Sequence, residues 1–391
     1  MSENKNKNEN TNTEKPTRRE ALKTILTAPV IGGIAVTAAA VSLEESNLLA
    51  QMTVVNVDNK PEVDVKPMES AEGAAENPDG VTVATRKTWA PPKRPHLKEK
   101  VPLAQFGNLQ ISRMFLGGNL IGGWAHARDL IYVSDLVKAY HTKEKVFETF
   151  YLAEQCGINT FLGHYSLFHM VGDYWKWTNG KMQFIADCST TNMDIINKVI
   201  DDGAVGTYMQ GETTDRLVRE GDLKSIEATL EGMRKRGVPS GLGAHRVETV
   251  RACVEHGIVP DFWMKTYHNH NYWSAVNPNG ERDNIFCRQP DETKEFMAAR
   301  KEPWIAFKVL AAGALRPEQA FKYAFEGGAD FICVGMYDFQ VVQNANTVVS
   351  VLNSPLNRTR DWMTPTLDRK QLKEEELEQK RKAREEKKAE G

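Results

Sequence analysis

Between residues 101 and 355 two hydrophobic rhythms alternate along the chain. One is a short, dense apolar run of strand type, as in "INTFLGHY", "MQFIADCS", "AVGTYMQGE", "PDFWMKTYH", "PWIAFKVL" and "ADFICVGM". The other has helical spacing. In "EKVFETFYLAEQCG" the apolar Val146, Phe147, Phe150 and Leu152 lie at helical spacing, and Gly157 supplies a stop. "MDIINKVIDDG", "LKSIEATLEGMRKRG", "VETVRACVEHG", "DETKEFMAARKE", "PEQAFKYAFEGG" and "DFQVVQNANTVVSVL" repeat that pattern. About eight strand–helix units in roughly 250 residues predict an α/β protein whose parallel sheet closes into a (β/α)8 barrel. An open doubly wound sheet is the alternative. It wants G-x-G-x-x-G after the first strand, and "LGGNLIGG" has the glycines without that spacing.

The ends read differently. Residues 1–16 are too polar to bury anything. "TRREALKTILTAPVIGGIAVTAAAV" follows, with Arg18–Arg19 before an uncharged stretch and Ala38–Ala39–Ala40 at a small-residue cleavage position. It resembles a twin-arginine export signal over residues 1–43, which implies a periplasmic or exported protein and the twin-arginine translocase as partner. An uncleaved membrane anchor of about 20 residues is the alternative. Residues 44–100 lack apolar periodicity and read as a disordered linker. Residues 356–391 read as a charged tail. A formal net charge of -2 gives no electrostatic reason to expect nucleic acid. Cys156, Cys188, Cys253, Cys287 and Cys333 contain no C-x-x-C pair, so neither a disulfide framework nor a thiolate zinc site is expected.

In a barrel, chemistry gathers where the strands end. Those ends supply Asn119, His164, Tyr165, Asp187, Gln210, Glu212, His245, His268, His270 and Lys308. "PDFWMKTYHNHN" places two histidines one residue apart at one such end. Imidazoles and carboxylates in this number suit a zinc or manganese site, with His164, His245, His268, His270, Asp187 and Glu212 as its candidates. The aromatics Tyr165, Trp175, Trp177, Tyr267, Tyr272 and Trp273 lie near the same ends and could stack on sugar faces.

Residues 101 to about 352 resemble the aldo/keto reductase superfamily. The similar stretches are "VPLAQFGNLQISRMFLGGN", "LAEQCGINTF", "LEGMRKRGVPSGLGAHRVETVRACVEHGIVPDF", "IAFKVLAAGAL" and "GADFICVGMYDFQVVQNA". The resemblance implies NAD(P)-dependent reduction of a small carbonyl by an Asp, Tyr, Lys and His tetrad. Leu162 stands at the Asp position, Tyr165 near the Tyr position after a loop deletion, Asp187 or Cys188 at the Lys position and Gln210 at the His position. Leucine neither accepts a hydrogen bond nor carries charge, so this tetrad cannot work as it does in the family. For the nucleotide the resemblance implies Tyr267 stacked on the nicotinamide, with Lys308, Leu310, Gly335 and Asn344 about the phosphates. Asp338 would repel a 2′-phosphate.

The expected function is an exported oxidoreductase with a non-standard site, drawing on Tyr165, His164, Asp187, Gln210, His245 and His268. A metal-dependent hydrolase, isomerase or lyase is one alternative. A barrel that binds without catalysis is another.

Overall fold

The computed structural model describes residues 95–125, 127, 130–275 and 284–367. The chain divides into Met1–Trp89 and Ala90–Gly391, and the barrel belongs to the second unit. The expected export signal, nearly all of the linker and the end of the charged tail lie outside the described residues. Among the described residues no helix is long and apolar enough to cross a membrane.

A hairpin comes first, β1 (Leu103–Phe106) and β2 (Leu109–Ser112). Eight parallel strands follow: β3 (Met114–Gly117), β4 (Thr160–His164), β5 (Gln183–Cys188), β6 (Gly206–Met209), β7 (Ser240–Ala244), β8 (Phe262–Thr266), β9 (Trp304–Phe307) and β10 (Phe331–Val334). They pair in chain order, and β10 returns to β3 to close the barrel. The (β/α)8 expectation therefore holds, and the doubly wound alternative does not.

Strand alternation sorts the apolar residues into two layers. Phe115, Leu162, Ile185, Tyr208, Met264 and Ile305 face the barrel interior. Met114, Phe184, Trp263 and Trp304 face the helices. The hairpin plugs one end, with the Phe106 ring 4.9 Å from Phe262 and 5.4 Å from Phe331. Leu162, where the family carries its Asp, is one of these interior packing residues.

The helices are α1 (Tyr132–Tyr140), α2 (Lys143–Gln155), α3 (Phe168–Trp177), α4 (Met193–Asp201), α5 (Gly211–Glu220), α6 (Leu223–Arg234), α7 (Val247–Glu255), α8 (Pro290–Ala298), α9 (Pro317–Glu326) and α10 (Asp338–Leu352). Three of them, α1, α3 and α5, go beyond the sequence expectation. Helix α5 has only Leu217 and Val218 as large apolar residues and buries Thr213, Thr214 and Asp215, so its inner face does not read as an apolar stripe.

The tail expected from residue 356 begins instead as a strap on the barrel. Buried Asp330 meets Arg360 and accepts from the Met363 N–H at 2.8 Å. Buried Arg113 donates to the Thr364 carbonyl and hydroxyl, each at 2.8 Å, and lies 4.1 Å from the Trp362 ring. Such a segment is held by charge and hydrogen bonds, which a search for apolar periodicity passes over.

Candidate functional site

Two glycines shape the rim. A Cβ at Gly243 would stand 2.6 Å from the Gly211 nitrogen and 2.8 Å from the Met209 carbonyl oxygen. Glycine there lets the first turn of α5 lie against the end of β7. Glu212 and Asp215, three residues apart on α5, share a helix face and come up beside His245.

The Asp215 side chain is 3% exposed. Its Oδ2 accepts from the His245 backbone N–H at 3.1 Å and lies 3.0 Å from the ring Nδ1. A carboxylate partner makes Nδ1 the protonated nitrogen and leaves Nε2 available. Burial pushes the Asp215 carboxyl up, but the hydrogen bonds from His245 and the Thr249 side chain overcome it and hold it below the usual carboxylate range. Glu212 is exposed and stands 3.6 Å from Arg219.

Lys265 is fully buried on β8, and its Nζ donates to the His245 and Thr266 carbonyls, each at 2.8 Å. Burial lowers its pKa. Lys308 follows β9 in a left-handed backbone conformation, φ +56°, with Ala311 at +46° and Ala312 at +54° close behind. Non-glycine residues there each cost on the order of 1–3 kcal/mol, and such strain gathers at functional sites. The Lys308 Nζ lies 4.4 Å from the Phe286 ring centroid, and burial pushes its pKa down to about 8.

These groups line a cavity of about 620 Å³, within the range of small-molecule sites. Five cations, Arg219, Arg246, Lys265, Arg288 and Lys308, line it against three acids, Glu212, Asp215 and Glu248. The first residues of α7, Val247 and Glu248, also line it, as does Gln289 at the start of α8. Positive helix ends thus add to a positive wall.

The other predicted residues are dispersed. His268 is neutral and buried, its pKa pushed down to about 4 by burial. Its Nδ1–H donates to the Asn269 carbonyl at 2.8 Å, and Nε2 accepts from the Phe286 and Cys287 N–H groups at 3.1 and 2.9 Å. His270 Nε2 lies 2.7 Å from the Cys287 carbonyl. The two histidines clip the segment after β8 to the segment that borders the cavity; they form no common metal site with His164 and His245. His164, on β4, bonds Ser189 and Ser166 at 2.8 Å each, with its ring 4.2 Å from Tyr165 and 5.2 Å from Trp124. His245 is three strands away, on the far side of β5 and β6.

Tyr267 does not face the mouth. It is fully buried in the helix layer, stacked 4.8 Å from Tyr323 and edge-on to Trp304 at 5.1 Å, so it is not placed to stack on a nicotinamide in the barrel mouth. Strand parity explains this: residues 263, 265 and 267 share the outward face. Leu310 packs on the hydrophobic core. Gly335 faces Leu120, which a Cβ there would meet at 3.4 Å, and Asn344 is buried on α10. Asp338 contacts Tyr140 and pairs with Lys145 at 3.1 Å, so the α10 N-terminus is already occupied by side chains of this chain.

Asp187 lies on the register line that joins His164 to Tyr208. Burial pushes its carboxyl up to about 7, against hydrogen bonding from Tyr208 and Gln210 that pulls it down. Its Oδ1 is buried without a hydrogen-bond partner. Gln210 directly precedes α5, so Asp187 and the cavity are linked along the rim.

Asp215, Lys265, Arg219, Arg246 and Arg288 were not anticipated from the sequence. The spacing Glu212-x-x-Asp215 just after a strand end was the signal available for the first of them.

No protein-family model matches the chain, and no curated protein matches it. Solved structures do. Two structures of an aldo-keto reductase from Pseudomonas aeruginosa, provisionally assigned as such, align over 66% of this chain and 99% or 98% of theirs. They show 16% and 17% identity, with TM-scores of 0.46 and 0.44. A glycerol dehydrogenase from Gluconobacter oxydans aligns over 63% of this chain and 90% of its own, at 11% identity and a TM-score of 0.42. Likeness at this level carries no argument, so the fold and the site stand on their own geometry.

Proposed function

We propose that this protein is an exported oxidoreductase of aldo/keto reductase type, using NAD(P)(H) on a small carbonyl or sugar-like substrate with proton-transfer groups of its own. The observation that carries the reading is the cationic cavity at the ends of β7, β8 and β9. The family's own nucleotide positions do not fit, because Tyr267 faces the helices and Asp338 is covered. The rim cavity does fit a phosphate-bearing group: Lys308, Arg246 and Arg288 line it, and the start of α7 adds N–H groups. A nicotinamide nucleotide held there would supply hydride. Asp187, with its carboxyl at about 7, is suited to give or take the proton at neutral pH, oriented by Tyr208 and Gln210. Export by the twin-arginine route fits a captive nucleotide better than a freely exchanging one.

The test is a titration of the full chain with NADPH and NADH, read by energy transfer from tryptophan to nicotinamide. Saturable binding that Lys308→Met weakens is the expected result. Absence of saturation by either nucleotide up to about 1 mM would end this reading.

A further inference from the structure

We infer that His245, Lys265 and Arg246 form an oxyanion site in the rim cavity, one that takes a phosphate- or sulfate-like group together with a proton on His245. This rests on the cavity as the anion site of the proposed function, not on the nucleotide itself.

His245 is fixed at three points. Its backbone N–H donates to Asp215 at 3.1 Å, its carbonyl accepts from the Lys265 ammonium at 2.8 Å, and its ring Nδ1 lies 3.0 Å from the Asp215 Oδ2. The ring rests against bare backbone, since a Cβ at Gly211 would stand 3.0 Å from its Nδ1 and Cε1. Asp215 also accepts from the Thr249 side chain, and its lowered pKa keeps it a carboxylate at neutral pH. Nδ1 is therefore committed as a donor, and Nε2 is the nitrogen left for the cavity that His245 lines. Among the described residues Nε2 makes no hydrogen bond.

A neutral imidazole with its proton on Nδ1 presents a lone pair at Nε2. A phosphate oxygen is repelled by that lone pair and needs an N–H instead. An incoming anion must bring the proton with it, and the Asp215 carboxylate behind the ring steadies the imidazolium that results.

Lys265 is an independent pointer to an anion. It is 1% exposed and lines the cavity. Its Nζ donates to two backbone carbonyls and to no carboxylate. An ammonium has three donors, and a buried charge is ordinarily paired. An anion in the cavity supplies both the third acceptor and the counter-charge. Arg246 and the first N–H groups of α7, which have no side-chain cap, border the same space. The other charged groups facing it are Glu212, Glu248, Arg219, Arg288 and Lys308. The two glutamates favour an imidazolium. The surrounding cations oppose it while the cavity holds no anion, so proton and anion arrive together.

Sodium sulfate is the probe, because it carries no titrating proton near neutral pH. The full chain is titrated calorimetrically with sulfate, and separately with NADP, at about pH 7.5 in two sulfate-free buffers of different ionisation enthalpy, which counts the protons exchanged. We expect about half a proton or more taken up per sulfate bound, and an affinity that falls up to about tenfold between about pH 7 and about pH 8. His245→Gln should abolish the uptake. Arg246→Gln, at an exposed position, should weaken binding and keep the proton count. Sulfate binding without proton uptake, uptake unchanged in His245→Gln, or no sulfate binding up to about 100 mM would each overturn the inference. Sulfate binding with uptake while NADP fails to bind would remove the nucleotide and leave the site. NADP binding without uptake would do the reverse.

Discussion

Replacing Asp187 by Asn removes one ionisable group from the barrel mouth and nothing else of its shape. In the folded chain burial raises this carboxyl from 3.8 to about 7. Between those values the folded state keeps a proton that the unfolded state has lost, so stability falls as pH rises and levels off above about pH 7. The full cost of ionising the folded group is about 4 kcal/mol, at roughly 1.4 kcal/mol per pH unit, and partial solvent contact makes that an upper bound. At about pH 5.5 less than half of the full range remains to be traversed. The Asn variant should therefore gain about 2 kcal/mol relative to the parent between about pH 5.5 and about pH 8.5. Urea unfolding of both proteins at the two pH values measures this directly. A difference between variant and parent that stays constant with pH would show that Asp187 ionises as an ordinary surface acid. Its place as the proton carrier would fall with it.

The other predictions concern the scaffold around the site. Phe106→Ala empties the plug that touches Phe262 and Phe331, and should cost about 3–5 kcal/mol in chemical denaturation. Arg360→Met leaves Asp330, fully buried, without its closest cation; a loss of about 3–5 kcal/mol is expected, against little change if the strap is merely decorative. His268→Phe removes the acceptor of the Phe286 and Cys287 N–H groups. Hydrogen exchange at those two amides should rise by at least an order of magnitude, consistent with about 1–3 kcal/mol for orphaned donors, while the strands stay protected.

The barrel was legible because its strands are dense, separate and regularly followed by helices. The site was less so. His245, Glu212, Asp187 and Lys308 could be collected as strand-end residues, since a barrel strand delivers its last side chains to one rim. What a linear reading misses is which of them meet. His268 and His245 look equivalent in sequence, yet one clips a loop and the other lines a cavity. Asp215 lay in a helix whose buried face is largely polar, so no apolar stripe marks it, and the close approach that gives it a partner depends on Gly211 and Gly243 fitting together across two elements. Tyr267 shows how the family resemblance and strand parity compete. The resemblance places it at the mouth, and the alternation of β8 turns it outward onto Tyr323.

The central claim is that the cationic rim cavity, rather than the end of β10, receives the nucleotide. A crystal structure of the full chain soaked with NADP would test it most directly. Phosphate density against Lys308, Arg246 and Arg288 is the predicted result. Density at Gly335 and the start of α10, or a cavity that stays filled with water alone at saturating nucleotide, would contradict the account.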